Sequence, residues 1–343
     1  MGTAISREEN RSLGKTAGDS APRPQCRCTL HRALETPLAK TGGLTMGEVM
    51  ICLIGEQPMP NLLPIRYDEP REVLLVYTKD TNEVRKRLEK VLRKDLLIHT
   101  LEVSPYNIPD IKTSLQNFIQ GRGWQPTQLV FNLTGGTKAM AFAAYSLAQD
   151  WHTKYIYVES GETESRVYRY SFQPDGTTYF ERDEVIPGVI TLDDYLKAHL
   201  GVYIPKGFSR GEGGKFEKAV YEAIKPVVDE IKPGIQFLGQ VDIDLIFRCH
   251  NQVGIAEVKT GGKAKTAEGI KQLKAAGAHL DLYVRRLLIV DTVWGNSLEP
   301  LRGWAKAAGI RVIEIPGYDS GTGDIPHTDQ DRLRREVRNL FGR

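Results

Sequence analysis

The sequence predicts an α/β protein of two units, a doubly wound parallel sheet followed by a smaller α/β module. From about residue 46, short apolar runs alternate with stretches of helical spacing. Those stretches are long enough to carry parallel crossovers, the pattern of βαβ units. A Gly-rich break near residue 210 then opens a second series, in which two strand-like runs follow each other across a very short link.

In the first unit the strand-like runs are 48–54 (EVMICLI), 72–77 (EVLLVY), 96–103 (LLIHTLEV), 128–133 (QLVFNL) and 154–158 (KYIYV), with helices expected at 80–93, 110–121 and 137–150. A polar hairpin-like stretch follows from Arg166 to Phe180, then a short helix in LDDYLKAHLG that Gly201 stops. The second unit starts with SRGEGGKFEKAVYEAI, in which Phe216, Val220, Ile224 and Val227 keep helical spacing. After it come the strands QVDIDLIFR and QVGIAEVKT, joined through Asn251-Gln252. A helix at about 265–279, a strand at 286–290, a helix near 297–308 and a strand at 311–315 complete the series. The expected division is an extension at 1–45, a first domain at 46–165, a hairpin and linker at 166–209, a second domain at 210–316 and a tail with a short helix at 317–343.

Composition fits this picture. Hydrophobic residues make up 41% of the 343 and charged residues 26%, which excludes a fibrous or largely disordered chain. No apolar run approaches the ~20 residues of a membrane span, so no membrane partner is expected. The net charge of +3 resides in the first 45 residues, where Arg7, Arg11, Lys15, Arg23, Arg27, Arg32 and Lys40 outnumber Glu8, Glu9, Asp19 and Glu35. The remainder balances 39 bases against 39 acids, so a claim of nucleic-acid binding has to rest on a local site. Residues 1–45 lack hydrophobic periodicity and are expected to be a disordered extension, Met46 being itself a plausible start. Cys26 and Cys28 have no second Cys/His pair nearby to complete a zinc site, and Cys52 and Cys249 lie in apolar runs as core residues. With no apolar segment of a secretory signal, a reducing, cytoplasmic location is expected.

Two places carry chemistry. In the second unit, Glu257 and Lys259 are two apart on a strand and share a face, while the preceding strand carries Asp242 and Asp244. A hairpin would bring an Asp beside the Glu-Lys pair. Two carboxylates can hold a hard divalent cation, and a neighbouring lysine can position water and offset charge on a phosphorane-like transition state. An acid and a base two apart are also a common surface ion pair. The apolar flanks Val253-Gly254-Ile255-Ala256 and Leu245-Ile246-Phe247 argue for partly buried charges, which need a reason to be there. On the residues alone both readings stay open.

The D-x₁₂-E-x-K spacing, with Glu217 one helix upstream, resembles the PD-(D/E)xK restriction-endonuclease-like superfamily over roughly residues 210–316. The resemblance implies a metal-dependent nuclease in which Asp244, Glu257 and Glu217 hold Mn²⁺ or Mg²⁺ and Lys259 assists the attacking water. Gln272, in GIKQL, matches a position that often contacts the active site. QVDID resembles the N-E-x-D variant of the motif, with Asp242 in the Glu slot.

In the first unit, QLVFNLTGGTKAMAFAAYSLA reads as a strand, a Thr-Gly-Gly-Thr-Lys turn and a helix. Glycines permit close backbone approach, a helix N-terminus offers free N–H groups, and Lys138 adds positive charge, so a phosphate could sit there. Gly-Gly also serves as an ordinary tight turn. The first strand ends in GEQPMPN, Gly55 to Asn61, and the second in Thr78-Lys79-Asp80, so three strand ends share one edge of the sheet. These segments, with LDDYLKAHLG, resemble the CARF-nuclease fusions of type III CRISPR systems from about Met46 to the end of the nuclease module. The resemblance implies a Rossmann-like CARF domain that forms a homodimer and binds cyclic oligoadenylate, usually cyclic tetra-adenylate, across the dimer axis. Binding would activate cleavage of single-stranded DNA or RNA and, in some members, nicking of duplex DNA. The implied ligand positions are Glu56, Gln57, Pro58, Thr78, Thr134, Gly135, Gly136, Thr137 and Lys138. Three other readings compete. A sensor with an inactive nuclease fold would be expected to have lost one of Asp244, Glu257 and Lys259. A ring nuclease would need a catalytic set in the crevice, and a DNA-repair endonuclease leaves TGGTK without a purpose.

Overall fold

The computed structural model describes residues 49–93, 96–161 and 163–342. The 1–45 extension, its C-x-C pair and Met46 lie outside these residues. The first sheet begins β1 (Val49–Leu53), α1 (Met59–Asp68), β2 (Glu72–Tyr77), α2 (Asn82–Leu92), β3 (Leu97–Glu102) and α3 (Ile108–Gly121). It continues with β4 (Leu129–Asn132), α4 (Lys138–Asp150), β5 (Lys154–Ser160), β6 (Ser165–Phe172) and β7 (Thr178–Ile186). The strand order is β3-β2-β1-β4-β5-β6-β7, with the first five parallel and the last two antiparallel.

Every residue of β1 is buried, because helices cover both faces of the strand. Met50 and Cys52 pack with Leu62 of α1 and Leu88 of α2, whereas Ile51 and Leu53 pack with Leu115 of α3 and Met140 of α4. The expected doubly wound unit is therefore present, and the hairpin expected at 166–180 extends its sheet as β6 and β7.

After α5 (Leu192–Leu200) and the two-residue β8 (Ile204–Pro205) comes α6 (Gly211–Ile224). The second sheet continues with β9 (Glu230–Phe237), β10 (Val241–Cys249), β11 (Gln252–Lys259), α7 (Glu268–Gly277), β12 (Arg285–Val290), α8 (Glu299–Ala307), β13 (Ile310–Glu314) and α9 (His327–Leu340). Its order is β13-β12-β11-β10-β9-β8. Phe216 and Val220 of α6 share one face of the sheet with Leu333 and Val337 of α9. Ile270 and Leu273 of α7 and Ala305 of α8 cover the other.

The structure differs from expectation at three elements. Residues 59–68 are a helix, although 55–61 read as a loop. Pro60 stands in the first turn of α1, where a missing N–H costs nothing, and Pro64 sits inside the helix and disguises its periodicity. β9 was not expected because Pro233 and Gly234 interrupt it. Pro233 pairs with Leu245 on one side, while β8 reaches only Gln236 and Ile235 on the other, so the proline stands where β9 is close to an edge of the sheet. The β10–β11 turn is His250-Asn251, with Gln252 already opposite Cys249.

Helix α5 lies between the two sheets. Toward the first, Arg87 Nε donates to Ala198 O at 2.9 Å and Arg66 pairs with Asp194 at 3.4 Å. Toward the second, Leu192 N–H donates to Glu230 at 2.7 Å and the Tyr195 hydroxyl accepts from Asp281 N–H at 3.1 Å. Tyr195 and Leu196 belong to one apolar core that runs from Met50 in β1 to Ile243 in β10.

His199 of α5 is 9% exposed, and burial, followed by the Arg87 charge, lowers its pKa to about 3. The unfolded chain takes up a proton near the ordinary value of 6.5 while the folded chain does not, so acid favours unfolding. Stability should fall by about 1.4 kcal/mol for each pH unit between 6.5 and about 3, where the folded chain takes up the proton too, a loss absent above 6.5. His199→Gln should flatten this part of the stability profile in urea titrations. An unchanged slope between pH 6 and 4 in that variant would rule the assignment out.

Candidate active site and ligand crevice

The antiparallel ladder of β10 and β11 pairs Leu245 with Ala256. One residue further, Asp244 lies across from Glu257, and Asp244 Oδ2 takes the Val258 N–H at 2.8 Å. Lys259 Nζ donates to Glu257 Oε2 at 2.7 Å and reaches Asp244 Oδ2 at 3.4 Å. The hairpin thus brings together the three residues that the sequence singled out.

Glu257 is 1% exposed and its Oε1 has no hydrogen-bond partner. Burial and then the Asp244 charge push its carboxyl well above the usual range, and Lys259 offsets this only in part. Burial pulls the Lys259 pKa down, but Glu257 and Asp244 more than reverse it, so the side chain is an ammonium. As a cation it can orient water and stabilise anionic oxygen but cannot accept a proton.

These groups lie at a cavity of ≈600 Å³. Glu217 from α6, Asp242, Asp244, Lys259 and Gln272 from α7 line it, with Glu257 buried behind them. Glu217 is 4% exposed, and its Oε2 accepts the Ser209 N–H at 2.8 Å. Gln272 Oε1 is buried without a partner. Among the described residues no three His, Cys, Asp or Glu side chains are gathered as a metal cage. The unpartnered Glu257 Oε1 beside Asp244 nevertheless fits a hard cation, which prefers such oxygens.

The other candidate site lies where β1 and β4 are neighbours and the chain departs to opposite faces, the switch point of a doubly wound sheet. Thr137 caps α4, accepting the Met140 N–H at 3.2 Å and donating to Pro105 O at 2.6 Å. Lys138 follows at the first helical position, exposed and without an ion pair among the described residues. Glu56 is exposed, Gln57 half-buried with Oε1 unpartnered, and Pro58 buried at the start of α1. Like Thr137, two further expected ligand residues are engaged within the fold. Thr134 Oγ1 donates to Asn132 Oδ1 and accepts the Val158 N–H, each at 2.7 Å, and Thr78 N–H donates to Thr81 Oγ1 at 3.0 Å.

Sequence reading missed the buried pair that shapes this crevice. Asn132 Nδ2 donates to Asn61 Oδ1 at 3.0 Å and to Pro60 O at 2.9 Å, while Asn61 Nδ2 donates to Leu53 O at 2.9 Å. Together they tie the ends of β1 and β4 to α1. The available signal was an asparagine closing an otherwise apolar strand, FN before TGGTK.

Gly135 passes so close to β1 that an added Cβ would stand 2.1 Å from Leu53 O, the oxygen already held by Asn61. Gly136 has φ +71, which only glycine adopts easily. Gly135→Ala should therefore destabilise the protein by about 1–3 kcal/mol, a melting point several degrees lower. An unshifted calorimetric transition would show that the turn yields freely.

Residues 49–195 match the family model of the Card1 CARF domain. This part of the chain is a CARF domain. No curated protein matches the sequence. Among solved structures, Can2 from Sulfobacillus thermosulfidooxidans, in complex with cyclic tetra-adenylate, aligns with TM-score 0.62 and 16% identity over 86% of this chain and 97% of its own. Protein VC1899 from Vibrio cholerae aligns with TM-score 0.64 and 14% identity over 86% and 99%. A type III CRISPR defence DNA nuclease activated by cyclic oligoadenylate aligns with TM-score 0.51 and 19% identity over 74% of this chain and 46% of that one. At these identities the likeness shows the fold. Since most of the chain is covered, it extends past the CARF domain into the second sheet. No helix among the described residues is long and apolar enough to cross a membrane.

Proposed function

We propose that the protein is a metal-dependent nuclease of type III CRISPR defence, activated when a cyclic oligoadenylate, cyclic tetra-adenylate by preference, binds its CARF domain. In this reading residues 46–165 sense the activator, 166–209 connect, and 210–316 cut single-stranded DNA or RNA. The observation that carries it is the meeting of Asp244, Glu257 and Lys259 at a cavity, in a chain that also holds a CARF domain. The two solved nucleotide-related neighbours support the choice of activator.

Asp244 and Glu257 would hold Mn²⁺ or Mg²⁺, with Glu217 approaching from α6. The cation would supply Lewis acidity and a more acidic water. Lys259, kept protonated by its two carboxylate neighbours, orients the attacking water and balances charge that builds on the phosphoryl oxygens. Gln272 offers its unpartnered carbonyl to the same cavity.

At the crevice, one subunit contributes a single glycine turn, the free N–H groups at the start of α4, and Lys138. A ring of several phosphates needs more donors than that, and a two-fold homodimer doubles them symmetrically. α1 leads from this crevice to α5, because its first turn lies at Pro60 and Asn61 and its last carries Arg66, the partner of Asp194. Movement at the crevice thus has a packed route to the second sheet.

Labelled single-stranded DNA and RNA, incubated with Mn²⁺ or Mg²⁺ with and without cyclic tetra-adenylate, test the reading. Cleavage should require both metal and activator. Equal cleavage without the nucleotide would refute the switch, and no cleavage under any condition would refute the nuclease.

A further inference from the structure

Two cations stand on the wall of the nuclease cavity without acid partners. Lys206 and Arg210 are exposed, line the cavity, and form no ion pair among the described residues. They belong to a strap at 206–210 that contains no acid.

The strap is firmly mounted. Lys206 N–H donates to Gly234 O at 2.7 Å, and the backbones are so close that a Cβ on Gly234 would lie 1.8 Å from Gly207 O. A Cβ on Gly214 of α6 would lie 1.7 Å from Ser209 O. Phe208 packs edge-on against Tyr221 with ring centroids 5.4 Å apart, and Ser209 N–H is held by Glu217. The backbone is thus anchored to α6 and β9 while the two cationic side chains remain in the opening.

Across the cavity, Lys263 follows the end of β11. Because β9 and β11 flank β10, the strap and Lys263 lie on opposite sides of the strand that carries Asp244. Lys263 stands 3.7 Å from Glu268, but Lys263 is largely exposed and Glu268 half-exposed, so solvent weakens the pair and leaves Lys263 able to bind an anion. Asp244 and Glu257 share Lys259, and among the described residues the ion pairs of these two carboxylates include none of the three outer cations.

We propose that Lys206 and Arg210 on one side, and Lys263 on the other, bind phosphates of the nucleic-acid strand flanking the one that is cleaved. This rests on the nuclease reading above and assigns the substrate's path across the site. The phosphodiester backbone common to DNA and RNA is what these groups recognise, so they fix position and not sequence.

The test is anisotropy of a fluorescein-labelled single-stranded DNA oligonucleotide with the full chain in EDTA, across a salt series. Lys206→Ala with Arg210→Ala should weaken binding about tenfold and lower the slope of log affinity against log salt by about 1.4, since each phosphate contact on a single strand contributes roughly 0.7. Lys263→Ala should lower it by about 0.7. The charge-preserving pair Lys206→Arg with Arg210→Lys should keep the wild-type slope. Wild-type affinity and slope in the double alanine variant would overturn the proposal while leaving the nuclease reading intact. Failure of the wild-type protein to bind or cut any nucleic acid would overturn both.

Discussion

Glu257→Ala is expected to reduce activator-dependent cleavage by about 10³-fold or more, because loss of one of two carboxylates leaves the cation under-coordinated. The same position separates chemistry from folding. Glu257 is buried, opposed by Asp244, and has one oxygen without a partner, so its charge is a cost to the folded protein. Glu257→Gln removes that charge and leaves Lys259 paired with Asp244. In EDTA the Gln variant should melt at the wild-type temperature or a few degrees above it while its cleavage is lost. Wild-type cleavage in either variant would sink the assignment. A large drop in melting temperature would mean that Glu257 serves the fold.

Lys138→Ala should raise the concentration of cyclic tetra-adenylate needed for half-maximal cleavage by about 10- to 100-fold, the worth of one charge-assisted hydrogen bond. Its melting temperature should not change, since the side chain is exposed and makes no ion pair among the described residues. Thr137→Ala should behave differently. It removes the cap of α4 and the bond to Pro105 O, so a stability loss of about 1 kcal/mol should accompany any loss of activator affinity. Activator titrations that coincide for Lys138→Ala and wild type would remove the crevice as the sensor.

Several of these features are legible in the sequence because they depend on local pattern. β1 is apolar throughout and β4 is apolar up to its closing Asn132, so their burial and parallel pairing follow, and the TGGTK turn announces a helix start at the end of a strand. Glu257 and Lys259 share a strand face whatever the rest of the fold does. What stays hidden depends on partners distant in sequence or on residues with two meanings. Pro58 and Pro60 read as shaping a rigid loop, yet Pro58 is the N-cap of α1 and Pro60 lies in its first turn, with Pro64 further inside. Pro233-Gly234 interrupts any strand pattern, yet β9 runs through it beside the two-residue β8. The Asn61–Asn132 contact spans 71 residues, and no spacing rule reveals it. The bond between Thr134 and Val158 likewise joins residues 24 apart in the sequence. The bond from Glu217 to Ser209 required the strap to be seen folded against α6.

The position of α5 between the sheets has a bearing on how such proteins can be recombined. Tyr195 and Leu196 fill the core that both sheets share, and Asn251 of the β10–β11 turn donates to Ile186 O and Pro187 O at 3.0 and 2.6 Å. A seam cut at the Gly-rich stretch near 210, where the sequence invites it, would carry α5 away with the CARF domain and uncover Ile235, Phe237 and Ile243. Grafting another CARF domain onto the second sheet therefore means grafting or redesigning α5 and the Ile186–Val189 segment as well. The two halves are exchangeable only as a lock is with its key.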